Sequence, residues 1–177
     1  MPQLILTAVG PDRPGIVGEL TSHLHVAGAN LLDSRMVNLR GEFAMMILLE
    51  TSDDAASAKI ARDIAAVGQR MNLRITATPQ EKRESISRPT AGLPFVLRTY
   101  SLDQPGIVAR LTAVLQKLGV NIEDLTARQQ DAPFAGHPLF QTEMRLTVPS
   151  TVNLGDLRHQ LEAVGNELNC DVDLDPA

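Results

Sequence analysis

The sequence contains one short motif twice, at residues 12–15 and 103–106, and both copies carry groups that could bind a small charged molecule. Each copy has an aspartate, then a proline and a glycine, directly before a stretch with helical periodicity. The carboxylate of Asp12 or Asp103 can bind a cation or cap the helix, while the unpaired N–H groups at a helix start attract a carboxylate. Gly15 and Gly106 have no Cβ, so a ligand can approach the backbone closely. This combination suits a zwitterion.

An asparagine follows the predicted helix in both copies. Asn30 and Asn121 each come two residues after a glycine, at the start of a predicted strand, and an amide both donates and accepts hydrogen bonds. The alternative is that these aspartates and asparagines only cap helices and turn the backbone. The residues by themselves leave both interpretations open.

Other chemistry is poorly supported by the sequence. His23 and His25 lie two residues apart on a helix and point to different faces, while His137 falls in a loop and His159 on another helix. No ligand cluster has metal spacing, so we expect no metal site. Cys170 is the single cysteine, which excludes an internal disulfide, and it lies in a predicted strand. Glycine-rich phosphate loops and serine nucleophile motifs are absent, so we expect no cofactor, no catalytic residue and no enzyme activity.

Composition narrows the class of protein. The chain has 177 residues, 44% of them apolar, and 16 basic against 21 acidic side chains give a net charge of −5. This composition is globular, and the acidic balance disfavours direct binding to nucleic acid. Only 3% of residues are aromatic, which also disfavours base stacking. No apolar run approaches the roughly 18 residues of a membrane span, and the lone cysteine fits a reducing cytoplasm.

The chain is a duplicated unit. A shift of 91 positions aligns Leu4–Asp33 with Phe95–Asp124 without a gap, and 12 of the 30 pairs are identical. Chance would give about two identities at ordinary residue frequencies. We therefore predict a first domain at residues 1–79, a polar linker at 80–92 and a second domain at 93–177.

Each unit reads as strand, helix, strand, strand, helix, strand. The first strand is predicted at Leu4–Val9 and its copy at Phe95–Ser101. In the first unit Asn30–Arg40 and Phe43–Leu49 read as a hairpin with a turn at Gly41-Glu42, and the second unit has a longer loop at residues 131–138. The order predicts an α+β fold: two ferredoxin-like βαββαβ units, each a four-stranded antiparallel sheet with two helices on one face.

Two further patterns concern packing. The second helix of each unit carries an apolar stripe with steps of three and four residues: Ile60, Ile64, Val67 and Met71 in one, Leu154, Leu157, Leu161, Val164 and Leu168 in the other. The segment Phe43–Leu49 is apolar on both faces, which predicts a strand buried on both sides. We therefore expect the first sheet to pack against other protein, in the same chain or in a second one.

This arrangement resembles the ACT domain. The resemblance is based on the D-x-P-G-I-V motif after the first predicted strand and on the G-x-N sequence at the start of the next strand. Both motifs are found in both copies. Two such units with nothing else resemble the glycine cleavage system transcriptional repressor family. The resemblance implies ligand sites at these positions, where two units meet: Asp12, Gly15, Ile16, Asn30 and Leu31 in the first unit, and Asp103, Gly106, Ile107, Asn121 and Ile122 in the second.

The resemblance also implies a function. It points to a cytoplasmic homo-oligomeric regulator that binds a small amino acid such as glycine and acts through a protein partner such as a transcription factor, with no membrane and no direct nucleic-acid contact. Gly10-Pro11 stands against Ser101-Leu102, and Arg13 against Gln104, so the two motifs are not equivalent. Alternatives are a ligand-free scaffold, a regulatory subunit of a metabolic enzyme, an enzyme such as the formyltetrahydrofolate deformylases, whose catalytic domain has no counterpart here, and a direct nucleic-acid binder.

Overall fold

The structure is a computed structural model that describes residues 1–80, 92–130 and 138–177. The chain divides into two compact units, Met1–Glu84 and Ser85–Ala177. The predicted linker at residues 80–92 falls almost wholly outside the described residues, although its first and last residues lie in strands. The domain boundaries therefore stay a prediction.

The first unit contains four strands and two helices: β1 (Gln3–Pro11), α1 (Ile16–Val26), β2 (Ala29–Leu39), β3 (Glu42–Thr51), α2 (Asp54–Met71) and β4 (Arg74–Gln80). Its sheet has the strand order β2-β3-β1-β4, and every pairing is antiparallel. The helices lie on one face, which confirms the predicted ferredoxin-like fold.

The second unit repeats this arrangement with β5 (Gly92–Leu102), α3 (Ile107–Lys117), β6 (Asn121–Gln130), β7 (Leu139–Pro149), α4 (Leu154–Glu167) and β8 (Cys170–Pro176). Its sheet order is β6-β7-β5-β8, again antiparallel throughout. The predicted loop between β6 and β7 lies outside the described residues, apart from Pro138.

The hairpin turn between β2 and β3 lies one residue earlier than predicted. Leu39 pairs with Glu42, so the turn consists of Arg40 and Gly41, which have φ angles of 52° and 89°. A two-residue loop with both φ angles positive matches the right-handed twist of the strands it joins. The prediction of Gly41-Glu42 was wrong because the pairing of two strands, not the glycine alone, places the turn.

Each core lies between one sheet and its two helices. Helices α1 and α3 bury the same stripe, shown by Leu20 and Leu24 in the first unit and by Leu111 and Leu115 in the second. The stripes predicted for α2 and α4 also face the cores. Among the helices of the described residues, none has the length and apolar character that crossing a bilayer requires.

The face of each sheet opposite the helices, here called the open face, differs between the units. Strand β3 alternates within its unit, with Met45 buried and Met46 53% exposed, so burial on both sides would require another protein surface on the open face. In the first unit the open face carries apolar side chains such as Val37 and Met46. The matching face of the second unit is charged: Arg98 forms ion pairs with Glu143 and Asp175. Whether another protein covers the first open face stays a prediction.

Candidate ligand-binding corners

The first corner is the segment from Asp12 to Ile16, which joins β1 to α1. Gly15 precedes the helix with φ 84°, and its carbonyl accepts the first helical hydrogen bond from the N–H of Glu19 at 3.0 Å. A Cβ placed on Gly15 would meet no atom of the described residues within 4 Å. The left-handed backbone accounts for the glycine, and the open space in front of it leaves room for a ligand.

The second corner, from Asp103 to Ile107, has the same backbone. Gly106 precedes α3 with φ 94°, and its carbonyl accepts from the N–H of Arg110 at 2.9 Å. A Cβ on Gly106 would again meet nothing within 4 Å in the part of the chain that the structure describes. Two segments that differ at Arg13 and Gln104 thus adopt one conformation.

The helices that begin at the corners lack side-chain caps, whereas the other two helices have them. Asp53 accepts from the N–H of Ala56 at 2.8 Å at the start of α2, and Asn153 accepts from the N–H of Gly155 at 2.8 Å at the start of α4. Within residues 1–80, 92–130 and 138–177, no side chain forms a hydrogen bond at the N-cap of α1 or α3. The corner helices therefore keep free N–H groups and partial positive charge, which together suit a ligand carboxylate.

The two aspartates are held by amide side chains from the neighbouring strand. Asn38, near the end of β2, donates from Nδ2 to Asp12 Oδ2 at 2.5 Å. Gln129, near the end of β6, donates from Nε2 to Asp103 Oδ2 at 2.7 Å. Neither amide was among the predicted site residues, although the shift of 91 positions aligns residue 38 with residue 129 and links the two.

Position 13 and its copy make different contacts, as the sequence difference suggested. Arg13 forms an ion pair with Glu19 of α1, at 2.5 Å. Gln104 instead donates to the carbonyl of Leu168, at the end of α4. The second corner is thus attached to a second helix, and the two corners present different charges.

The second corner also adjoins a buried hydroxyl. Ser101 is 7% exposed, and its Oγ has no hydrogen-bond partner among the described residues. The copy of this position in the first unit is Gly10, where a Cβ would lie 2.7 Å from the carbonyl oxygen of Asn72. The corners therefore differ in the residue that precedes them as well as at position 13.

Within one unit, the structure does not bring all predicted site residues together. Asp12, Gly15 and Ile16 lie at the end of β1 that pairs with Glu42, whereas Asn30 and Leu31 lie at the other end of the sheet. Asn30 pairs with Glu50, which pairs with Gln3, eight residues from Pro11 on β1. At about 3.3 Å per residue, the two groups are separated by roughly 26 Å.

The second unit shows the same separation. Asp103, Gly106 and Ile107 lie beyond Leu102, while Asn121 and Ile122 lie level with Pro94 and Phe95 at the far end of β5. Asn121 donates to Glu123 Oε1 at 2.6 Å, and the hydroxyl of Thr147 donates to the same oxygen at 2.8 Å. These two hydrogen bonds lower the pKa of Glu123.

A groove lies beside the far end of the first sheet. It has a volume of about 570 Å³ and runs between the last turns of α1 and the start of β2. Asn30 and Leu31 are in its lining, together with Thr21, His25 and Leu49. The first set of predicted residues thus divides between this groove and the first corner.

The described residues offer no metal site. No group of three or more histidine, cysteine, aspartate or glutamate side chains among them could hold an ion. His23 and His25 are exposed on α1, and His137 lies outside the described residues. Cys170 is buried in the second core and donates weakly to the carbonyl of Asp171.

Comparison with known proteins identifies the family. The family profile described as the ACT domain matches residues 2–78, which is the first unit from before β1 to within β4. The first unit is an ACT domain. The second ACT-like unit shares the topology of the first and repeats its sequence.

Similarity to individual proteins extends over nearly the whole chain. The glycine cleavage system transcriptional repressor of Escherichia coli is 28% identical over 168 residues, which cover 94% of this chain and 85% of that protein. A solved protein of unknown function from Galdieria sulphuraria is 28% identical with a TM-score of 0.79, covering 99% of this chain and 98% of the other. The phosphoserine phosphatase SerB2 of Mycobacterium tuberculosis is 28% identical over 171 residues, but these cover only 39% of that enzyme. The match to the Escherichia coli protein thus spans most of a regulatory protein, whereas the match to the phosphatase spans less than half of an enzyme.

Proposed function

We propose that this chain is a cytoplasmic regulatory protein that binds a small amino acid at its corners and reports its presence to a partner protein. The specific form of the proposal is an accessory transcriptional regulator of glycine cleavage metabolism, with glycine as the ligand. The observation that carries it is the uncapped start of α1 and of α3, next to open space at Gly15 and Gly106. The similarity to the Escherichia coli repressor supports the metabolic context.

The chemistry of each corner supports an α-amino acid. The free N–H groups of the helix start would receive the ligand carboxylate, with the helix dipole favouring its charge. Asp12 or Asp103, at the same bend, would receive the ammonium group. A small side chain fits best, because the ligand must approach the glycine backbone closely.

Regulation would follow from differential affinity. A ligand shifts a protein between two states only by binding one of them more tightly than the other. The partner would recognise the state that the amino acid favours, and binding of partner and amino acid would be mutually coupled. Association into a homo-oligomer is part of the proposal.

A melting screen against the twenty amino acids tests this function. We expect one or a few amino acids, glycine among them, to raise the melting temperature, since saturation at 100 times Kd adds about 2.7 kcal/mol. The same screen with Gly15→Val and Gly106→Val should show the response reduced, because the added side chain fills the space at the corner. The absence of any shift with the wild-type chain would contradict amino-acid binding and favour a ligand-free scaffold.

A regulatory subunit of a metabolic enzyme is a second candidate. The observation in its favour is that the match to phosphoserine phosphatase SerB2 covers nearly all of this chain but under half of that enzyme. Such a subunit would bind an amino acid and change the activity of a separate catalytic chain. Stable co-purification with an enzyme, and no effect of the chain on transcription of glycine cleavage genes, would favour it over the first candidate.

A further inference from the structure

The same side-chain hydrogen bond occurs at both corners, although the residues that form it differ. Asn38 and Gln129 occupy matching positions: each pairs across its hairpin with a phenylalanine, Phe43 in β3 and Phe140 in β7. Both amides reach back 26 residues to donate to the Oδ2 atom of the corner aspartate. The longer glutamine side chain occurs in the unit with the longer β6–β7 loop.

In the first unit this hydrogen bond belongs to a closed set of contacts. The Oδ1 atom of Asn38 accepts from the N–H of Gly41 at 3.2 Å, and the backbone N–H of Asp12 donates to the carbonyl of Gly41 at 2.8 Å. Asp12, Asn38 and Gly41 are therefore linked in a ring by three hydrogen bonds, two of which join the corner to the β2–β3 hairpin. In the second unit the N–H of Asp103 donates to the carbonyl of Pro138 in the corresponding way, at 3.0 Å.

Among the described residues, these contacts leave one carboxylate oxygen of each aspartate for a ligand. The amide engages Oδ2 of the aspartate in both units, and a carboxylate has lone pairs on a second oxygen that can accept further hydrogen bonds. The pairs are exposed to solvent, where water competes for both the amide and the carboxylate, so each hydrogen bond contributes little to folding. Stability is thus a weak reason for keeping the pair at both corners, while orienting a charged group is a stronger one.

We infer that Asn38 and Gln129 are positioning residues that orient the corner carboxylates toward the ammonium group of a bound amino acid. This inference rests on the proposed function and adds the residues that set selectivity for the ammonium group. Asn38 also accepts a hydrogen bond from the N–H of Gly41. Binding of the ammonium group would therefore be coupled to the β2–β3 turn through Asp12 and Asn38. The shorter amide at one corner and the longer one at the other would make the two sites unequal.

The test measures glycine and glycolate binding to the full chain by calorimetry. Glycolate replaces the ammonium group of glycine with a hydroxyl, so it probes the carboxylate half of the site alone. The double variant Asn38→Leu, Gln129→Leu should weaken glycine binding about tenfold and leave glycolate binding unchanged. If the melting screen selects another amino acid, that amino acid and its 2-hydroxy acid take their place.

Two further variants complete the experiment. The exchange Asn38→Gln, Gln129→Asn keeps an amide at both corners and should bind glycine within about threefold of the wild type. Gln116→Leu removes an exposed amide in the last turn of α3, at the opposite end of that helix from Gly106, and should leave both affinities unchanged.

The outcomes separate the inference from the proposed function. Wild-type glycine affinity in the double leucine variant would overturn the positioning role alone, as would an equal loss of glycine and glycolate binding. A wild-type chain that binds none of the twenty amino acids would contradict the proposed function, and the positioning role would fall with it.

Discussion

The hydroxyl groups of Thr99 and Thr142 share a 2.7 Å hydrogen bond inside the second core, where both side chains are buried. The two residues lie directly opposite each other on β5 and β7. At the matching place in the first unit, β1 and β3 pair Ala8 with Met45. One fold thus accommodates a polar pair in one unit and an apolar pair in the other.

Replacing one threonine should cost more than replacing both. Thr99→Val should lower the free energy of unfolding by about 1–3 kcal/mol, because the hydroxyl of Thr142 would be left buried without its partner. The double variant Thr99→Val, Thr142→Val should lose less than Thr99→Val alone, since no unpaired hydroxyl remains. Urea denaturation measures the free energy of unfolding of the single and the double variant.

The control is a threonine pair that is exposed to solvent. Thr7 and Thr76 share a 2.6 Å hydrogen bond on the open face of the first sheet. Thr7→Val should cost well under 1 kcal/mol, because water can hydrogen-bond to the remaining hydroxyl. Equal losses for Thr99→Val and Thr7→Val would contradict the assignment of a buried polar pair.

Two adjacent methionines on β3 allow a direct comparison of the faces of the first sheet. Met45→Ala should lower the free energy of unfolding by about 2–4 kcal/mol, because the side chain is only 5% exposed and its loss leaves a cavity. Met46→Ala should change it by about 0.5 kcal/mol or less, since that side chain is 53% exposed. A large loss at Met46 would instead show that another protein surface covers the open face.

Alanine substitutions at Gly15 and Gly18 distinguish the effect of backbone strain from the effect of a steric clash. A Cβ at either position would meet no atom within 4 Å, but Gly15 has φ 84° whereas Gly18 lies within α1. Gly15→Ala should destabilise the chain by about 1–2 kcal/mol, the cost of a left-handed residue with a side chain. Gly18→Ala should stabilise it by up to about 1 kcal/mol through helix propensity. Thermal melts of both variants check this, and equal effects would contradict the strained turn.

The cap of α2 should make stability depend on pH. Hydrogen bonds from the N–H of Ala56 and the hydroxyl of Ser52 hold the pKa of Asp53 below its usual value of 3.8. The contribution of the charged group is therefore present above that value and is lost as pH falls through the lower pKa of the folded state. The wild type should melt above Asp53→Ala at pH 7, and the difference should shrink toward pH 3.

A second substitution isolates the charge from the cap. Asp53→Asn keeps a side-chain oxygen that can accept from Ala56 but has no titrating group. Its difference from Asp53→Ala should stay constant between pH 7 and pH 3. A wild-type advantage over Asp53→Ala that also stays constant over this range would exclude a contribution from the charge of Asp53.

The first corner shows which features of the site could be predicted from the sequence and which could not. Asp12 and Gly15 were predicted to lie at a bend before a helix, and they do, because proline, glycine and the apolar stripe of α1 are local signals. Asn38 was missed, because its contact with Asp12 exists only when the β2–β3 turn folds beside the end of β1. Asn30 was grouped with Asp12 by motif, yet the antiparallel pairing places it at the opposite end of the sheet.

The sequence by itself determined the duplication, the order of helices and strands, and the side chains that form each core. These features follow from periodicities of two and of three to four residues, which neighbouring residues set without reference to distant ones. The tertiary structure decided the position of the turn at Arg40-Gly41, the partner of each aspartate and the separation of the two groups of site residues. Those features depend on the register between strands far apart in the chain, and many registers satisfy the same apolar alternation until the strands pair.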